Sequence, residues 1–187
     1  ASQPWLDAKN FQLKSRQDLA QIKPVFEKKL SGLSAIRFGA EYWYAYNKST
    51  YDTFPTTTLQ DNFTALFAET DIYLTTALAA KIGGRAEHSS LINQTNIAPR
   101  ISLAYRAGKG AQISAAYGVF YQKPENQQLI FTTDLQYTRA THYILNYMKN
   151  TNDRIFRVEA YYKKYHDLVK TTPSYNNNGT GYAQGFE

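Results

Sequence analysis

The stretch ISAAYGVFYQKPENQQL, residues 113–129, decides how the rest of the chain is read. Ile113, Ala115, Tyr117, Val119 and Tyr121 form one alternating set. Ser114, Ala116, Gly118, Phe120 and Gln122 form the other, and the alternation stops at Lys123-Pro124-Glu125-Asn126. A two-residue period is that of a β-strand with unlike faces. One face is aliphatic and tyrosine-bearing; the other is small or polar, with a single Phe.

The same two-sided pattern recurs on either side of this stretch. Strands are expected near 20–31, 33–48, 62–74, 77–91, 98–107, 111–123, 138–149 and 153–170. In 33–48, Ile36, Phe38, Ala40, Tyr42, Tyr44 and Tyr46 oppose Arg37, Gly39, Glu41 and Trp43. In 77–91, Leu78, Ala80, Ile82, Gly84 and Ala86 oppose Lys81, Gly83, Arg85 and Glu87. In 153–170, Phe156, Val158, Ala160 and Tyr162 oppose Arg157, Glu159, Tyr161 and Lys163. Helical periodicity is confined to Arg16–Glu27, where Pro24 interrupts it.

The connections order these strands. Ser31-Gly32, Thr75-Thr76, Gly108-Lys109-Gly110 and Asn150-Thr151-Asn152 are tight and rich in turn formers. Longer links run from Asn47 to Asp61, Ser89 to Asn96, Lys123 to Tyr137 and from Thr171 onward. Short and long links alternate, so an up-and-down meander of about eight antiparallel strands gathers tight turns at one end and long loops at the other.

A soluble sandwich and a membrane barrel both alternate. They differ in where aromatic rings stand, because rings anchor at both rims of a membrane wall. Tyr42, Tyr44, Tyr46, Tyr117 and Tyr121 approach long loops, and Tyr73 and Tyr105 approach tight turns. Composition agrees: 16 of the 187 residues are Tyr and aromatics make up 15%, which suits surfaces where a ring meets apolar material and its hydroxyl meets water. No stretch approaches the roughly 18 apolar residues of a spanning helix. There is no cysteine, hence no disulfide framework and no thiolate metal site. The net charge of +6 is scattered rather than gathered into a stripe, which argues against a nucleic-acid partner.

The run NIAPRISLAYRAGKGAQISAAYGVFYQKPENQQL, followed by TRATHYILNYM and RVEAYYKKYHDLV, resembles the barrel of TonB-dependent outer-membrane receptors of the Bacteroidetes type. The matching features are Pro99-Arg100, the turn Gly108-Lys109-Gly110, Ala116 to Gln122, Ala140 to Tyr143 and Arg157 to Tyr165. The resemblance implies a partial transmembrane β-barrel over residues 1–187, without the plug domain that the family folds inside its barrel. It implies a place in the outer membrane and a role in active uptake of a scarce nutrient. The implied partners are outer-membrane lipid, the remainder of the barrel with its plug, TonB, and a small-molecule, glycan or peptide substrate. It implies no enzyme activity and no cofactor. GTGYAQGFE at the C-terminus resembles the beginning of another strand. A soluble β-sandwich binding module and a small closed outer-membrane barrel acting as an adhesin are the alternatives.

Arg37, Glu41, Glu69, Asp71, Arg85, Glu87, Arg157 and Glu159 are expected to face the lumen, either as a wall that a substrate or plug touches or as cross-strand charge pairs that solvate the interior. His88, His142 and His166 are scattered over three strands, so no metal site is expected. The outer loops 123–134 and 171–182 are rich in amides, hydroxyls and rings. Glu125, Asn126, Gln127, Tyr175, Asn176 and Asn177 are their candidate substrate contacts. No Ser-His-Asp set or carboxylate pair can be assembled for catalysis.

Overall fold

The computed structural model describes residues 13–51, 55–151, 154–172 and 174–187. Their strands are β1 (Leu13–Ile22), β2 (Val25–Lys29), β3 (Ala35–Tyr51), β4 (Thr57–Tyr73), β5 (Leu78–Ser89), β6 (Gln94–Gly108), β7 (Ala111–Gln122), β8 (Thr138–Thr151), β9 (Arg154–Lys170) and β10 (Asn176–Phe186). One helical turn, α1 (Asn126–Leu129), interrupts the link from β7 to β8. All strands lie in one antiparallel sheet in the order β1-β3-β4-β5-β6-β7-β8-β9-β10, with β2 also paired to β3. The meander is as expected, with ten strands rather than about eight.

The two additional strands have different causes. Ile22 faces Tyr42 and Val25 faces Gly39, so β1 and β2 hold a single register on β3 and only Lys23-Pro24 falls out of the ladder. Proline has no N–H to donate there. Its carbonyl still accepts from the Ala40 N–H at 3.2 Å. A side chain at Gly39 would strike that carbonyl and the Phe67 ring. The helical pattern over Arg16–Glu27 is thus overruled by strand pairing. The other addition is β10, which begins at Asn176, inside the segment expected to be loop. It closes on β9 through a bulge where Asp167 adopts φ 58° and Gly179 packs against the Leu168 backbone.

Two expected long loops are shortened by strand. β3 and β4 each run 17 residues, about 55 Å at 3.3 Å per residue, and they absorb most of Asn47–Asp61. The link from β5 to β6 is a turn over Ser90–Asn93, closed by Asn93 at φ 49°. The tight turns and the remaining long loop stay at opposite ends of the sheet.

Register gives the sheet two unlike faces. On one, Leu66 is 66% exposed, Ile97 68% and Leu145 56%. Small residues such as Ala40, Gly84 and Ala115 lie between these apolar side chains. Tyr117, Tyr143, Tyr162 and Tyr182 form a ladder across four strands on this face, with neighbouring ring centroids 5.3, 6.2 and 6.1 Å apart. Tyr105, Tyr147 and Phe156 stand on it near the tight turns. Tyr73 does not join them, because it has the same parity as Asp71, on the opposite face. Among the described residues, no helix is long and apolar enough to cross a membrane.

Candidate functional site

The opposite face carries charge. Arg37 pairs with Glu27 at 2.8 Å and Glu69 at 2.7 Å, and Lys81 bridges Glu69 at 3.7 Å and Asp71 at 3.3 Å. One strand position deeper, Arg85 holds Glu41 at 3.0 Å and Glu87 at 2.9 Å. Lys23 approaches Glu41 at 3.7 Å, and Arg157 pairs with Glu159. Every lumen candidate named from the sequence therefore lies on this face, and each has an ion partner. Arg37–Glu69, Lys81–Asp71 and Arg85–Glu41 join opposite signs across strands, whereas Arg85–Glu87 and Arg157–Glu159 join residues two apart along one strand.

Between these pairs the face is hollowed. A recess of about 620 Å³ crosses from Glu41 on β3 to His142 and Ile144 on β8. Gly83 and Gly118 are part of its floor, where a Cβ would approach the Glu69 Cβ at 2.9 Å and the Phe120 ring at 2.9 Å. Cations lie over rings across this face. Arg100 sits 4.6 Å above Phe120, whose ring is 4.6 Å from His142. Arg85 lies 5.6 Å from Phe63, which stacks on Trp43 at 4.7 Å, and Lys123 caps Trp43 at 4.9 Å. Guanidinium and ammonium groups over ring faces are held by the ring quadrupole.

At the loop end, the link over 123–137 folds back across the strand ends. Leu129, Leu135 and Tyr137 bury themselves against Leu59 of β4 and Ile92 of the β5–β6 turn. Asp61, 2% exposed, accepts from Lys123, from the Ser89 hydroxyl at 2.8 Å and from the Leu91 N–H at 3.1 Å. Burying a carboxylate is costly unless it is paired and hydrogen-bonded, and here it is both. The Tyr137 hydroxyl is buried nearby; burial, with the Glu87 and Asp61 carboxylates, pushes its phenol well above the ordinary range.

The outer candidates separate into two groups. Glu125, Asn126 and Gln127 border a polar recess of about 320 Å³ with Gln17, Asn47 and Ser49. The Glu125 N–H donates to the Gln128 side chain at 3.1 Å, which sets the start of α1. Asn177 instead spends its amide on the backbone: it donates to the carbonyls of Gln136 at 2.9 Å and Asp167 at 2.7 Å and accepts from the Gln136 N–H at 2.7 Å. Asn176 bonds the Ser174 carbonyl at 2.9 Å, and Tyr175 stacks on Phe131 at 5.2 Å. Asn177 and Tyr175 thus fix the two loops to one another, and Asn176 turns its own segment.

His88, His142 and His166 stay on separate strands, β5, β8 and β9, with His142 on the charged face and the other two on the apolar one. Sequence reading missed Asp61, because it fell at the edge of a presumed loop. It also missed Lys23 and Arg100, whose parity becomes informative only with register.

The fold has known counterparts. A ferric enterobactin receptor of Pseudomonas aeruginosa aligns with a TM-score of 0.79 and 12% identity over 93% of this chain and 33% of that one. The siderophore receptor PirA from the same organism gives 0.77 and 13%, over 92% and 36%. The FrpB iron transporter of Neisseria meningitidis gives 0.76 and 11%, over 92% and 33%. The chain spans about a third of the length of these proteins. No curated protein matches it in sequence. The family model described as TonB dependent receptor-like, beta-barrel matches residues 7–187. This chain belongs to that family of outer-membrane β-barrels, whose members are receptors and transporters.

Proposed function

We propose that this chain is wall and mouth of an outer-membrane importer that takes up a scarce nutrient with energy delivered through TonB. The observation that carries the reading is the contrast between faces: an aromatic-edged apolar surface exposed on one side and a charged, hollowed surface laced with ion pairs on the other. Strand pairing satisfies the backbone within lipid. On this reading Arg37, Glu41, Glu69, Arg85, Glu87, Arg157 and Glu159 line the lumen, against the plug and the passing substrate. Glu125, Asn126 and Gln127 meet the substrate at the mouth, where amides and hydroxyls suit a chelate, glycan, vitamin or peptide rich in hydrogen-bonding groups. The neighbours named for siderophore and iron transport support a metal chelate first. The Bacteroidetes-type assignment rests on the motifs alone.

The test is accumulation of labelled chelate, vitamin, oligosaccharide and peptide by cells carrying the whole protein, with and without TonB. Uptake of one class that stops when TonB is removed or the proton gradient is collapsed is the expected result. Uptake of every class, unaffected by either treatment, contradicts an energy-coupled importer.

A further inference from the structure

The charged face is balanced on β3–β5 and unbalanced beyond them. On β3–β5 Arg37, Lys81 and Arg85 are spent on Glu41, Glu69, Asp71 and Glu87. Strands β6, β7 and β8 contain no carboxylate at all. A row of basic residues nevertheless crosses them on this face. Arg100 of β6 lies opposite Gly118 of β7, Gly118 opposite His142 of β8, and His142 opposite Lys163 of β9. Among the described residues, none of the three basic ones takes part in an ion pair.

Neighbouring carboxylates do not relieve the row. On β5 Arg100 faces Gly83, and its diagonal neighbours there, Lys81 and Arg85, are both cations. Like charges so placed repel across a sheet. Glu69, beyond Gly83, is taken by Arg37 and Lys81. Glu159 on β9 is held by Arg157 and the Asn146 amide.

The row is also shaped. Arg100 and His142 are two strand spacings apart, about 10 Å, and both line the recess of about 620 Å³. Gly118 keeps the space between them open, since a Cβ there would strike Phe120 and approach the Arg100 side chain at 3.5 Å. The Phe120 ring, 4.6 Å from both the Arg100 guanidinium and the His142 ring, fixes the two in place. Recesses of this volume suit small solutes.

We propose that Arg100, His142 and Lys163 form an anion subsite partway along the lumen wall, taking a carboxylate or phosphate group of the imported solute. The inference rests on the importer reading above and narrows its solutes to anionic ones. A guanidinium held flat by a ring offers the paired donors that carboxylate and phosphate accept in strong charge-assisted hydrogen bonds.

The test treats the whole protein in detergent with pyridoxal 5′-phosphate, whose aldehyde condenses with a lysine amine, losing water; borohydride then reduces the imine to a stable amine. Peptide mass mapping is expected to find Lys163 labelled preferentially, and pyridoxal, which lacks the phosphate, to show no preference for it. Arg100→Gln should lower Lys163 labelling about tenfold, the worth of one charge-assisted hydrogen bond; Arg100 is exposed, so the variant folds. Arg106→Gln, on the same face of β6 toward the tight turn, should leave labelling unchanged. Protection by inorganic phosphate or by citrate, against chloride at equal ionic strength, shows which anion the row takes. Protection by neither, equal labelling by pyridoxal, or an equal loss in Arg106→Gln overturns the subsite. Labelling of Lys163 only after unfolding also overturns it, because another part of the protein then covers the row. These outcomes need neither TonB nor a proton gradient, so they fail separately from the importer reading, which the uptake experiment tests.

Discussion

Lys123, the first residue beyond β7, places its ammonium on the Asp61 carboxylate of β4, three strand positions away. This pair, with the buried contacts of Leu129 and Leu135, holds the β7–β8 link down over the sheet end. Lys123→Met leaves Asp61 buried and unpaired, which costs on the order of 3 kcal/mol. Hydrogen exchange over 123–137 should accelerate about a hundredfold, the ratio for that energy. The double variant Lys123→Met with Asp61→Asn should recover most of the protection. Unchanged exchange in the single variant would mean that the pair does not anchor the loop.

The ion pairs of the charged face are not equivalent. Arg85 has a side chain 21% exposed between Glu41 at 10% and Glu87 at 11%, whereas Arg37 is 42% exposed. Arg85→Met leaves the desolvated Glu87 carboxylate without its ion partner and Glu41 with only Lys23 at 3.7 Å, and should cost about 3 kcal/mol. Arg37→Met should cost at most about 1 kcal/mol, as for solvated pairs. Urea unfolding in lipid vesicles measures both; equal losses would contradict the ranking.

Gly39 is where the Pro24 carbonyl crosses close to β3. A methyl there meets that carbonyl and sits 2.7 Å from the Phe67 Cζ, and backbone cannot yield as a flexible side chain can. Gly39→Ala should destabilise by about 1–3 kcal/mol and release β1 and β2 first. Proteolysis near Lys23 should therefore rise, while Gly84→Ala, with open space around it, should leave it unchanged.

Leu66 separates a membrane wall from a soluble sheet. It is 66% exposed near the middle of β4. In a bilayer Leu66→Arg should cost about 2–4 kcal/mol, whereas at an exposed site in water it would stay within about 0.5 kcal/mol. Unfolding from bilayers gives the number.

Much of this was legible in the sequence because period-two alternation survives wherever both faces are used. Parity alone placed Arg37, Glu41, Arg85, Glu87 and Glu159 on one face, where register now puts them. It failed where local and nonlocal signals conflicted. Arg16–Glu27 has helical spacing, but pairing along β3 outweighs that propensity. The Thr-rich and Asn-rich segments around 57–60 and 176–180 look like loops, yet their backbones complete ladders with β3 and β9. Asp61 was hidden for the same reason: its partners come from β5 and from beyond β7. No local pattern records such a contact.

The central claim is that β7 is part of a membrane wall with one face toward lipid. The chain has no native cysteine, so nitroxides can be placed one at a time by Ile113→Cys, Ser114→Cys, Ala115→Cys, Ala116→Cys and Tyr117→Cys in the whole protein in bilayers. The account predicts high oxygen and low polar-reagent accessibility at 113, 115 and 117, and the reverse at 114 and 116. Shielding of both sets from oxygen would place the strand in a soluble fold and contradict the account.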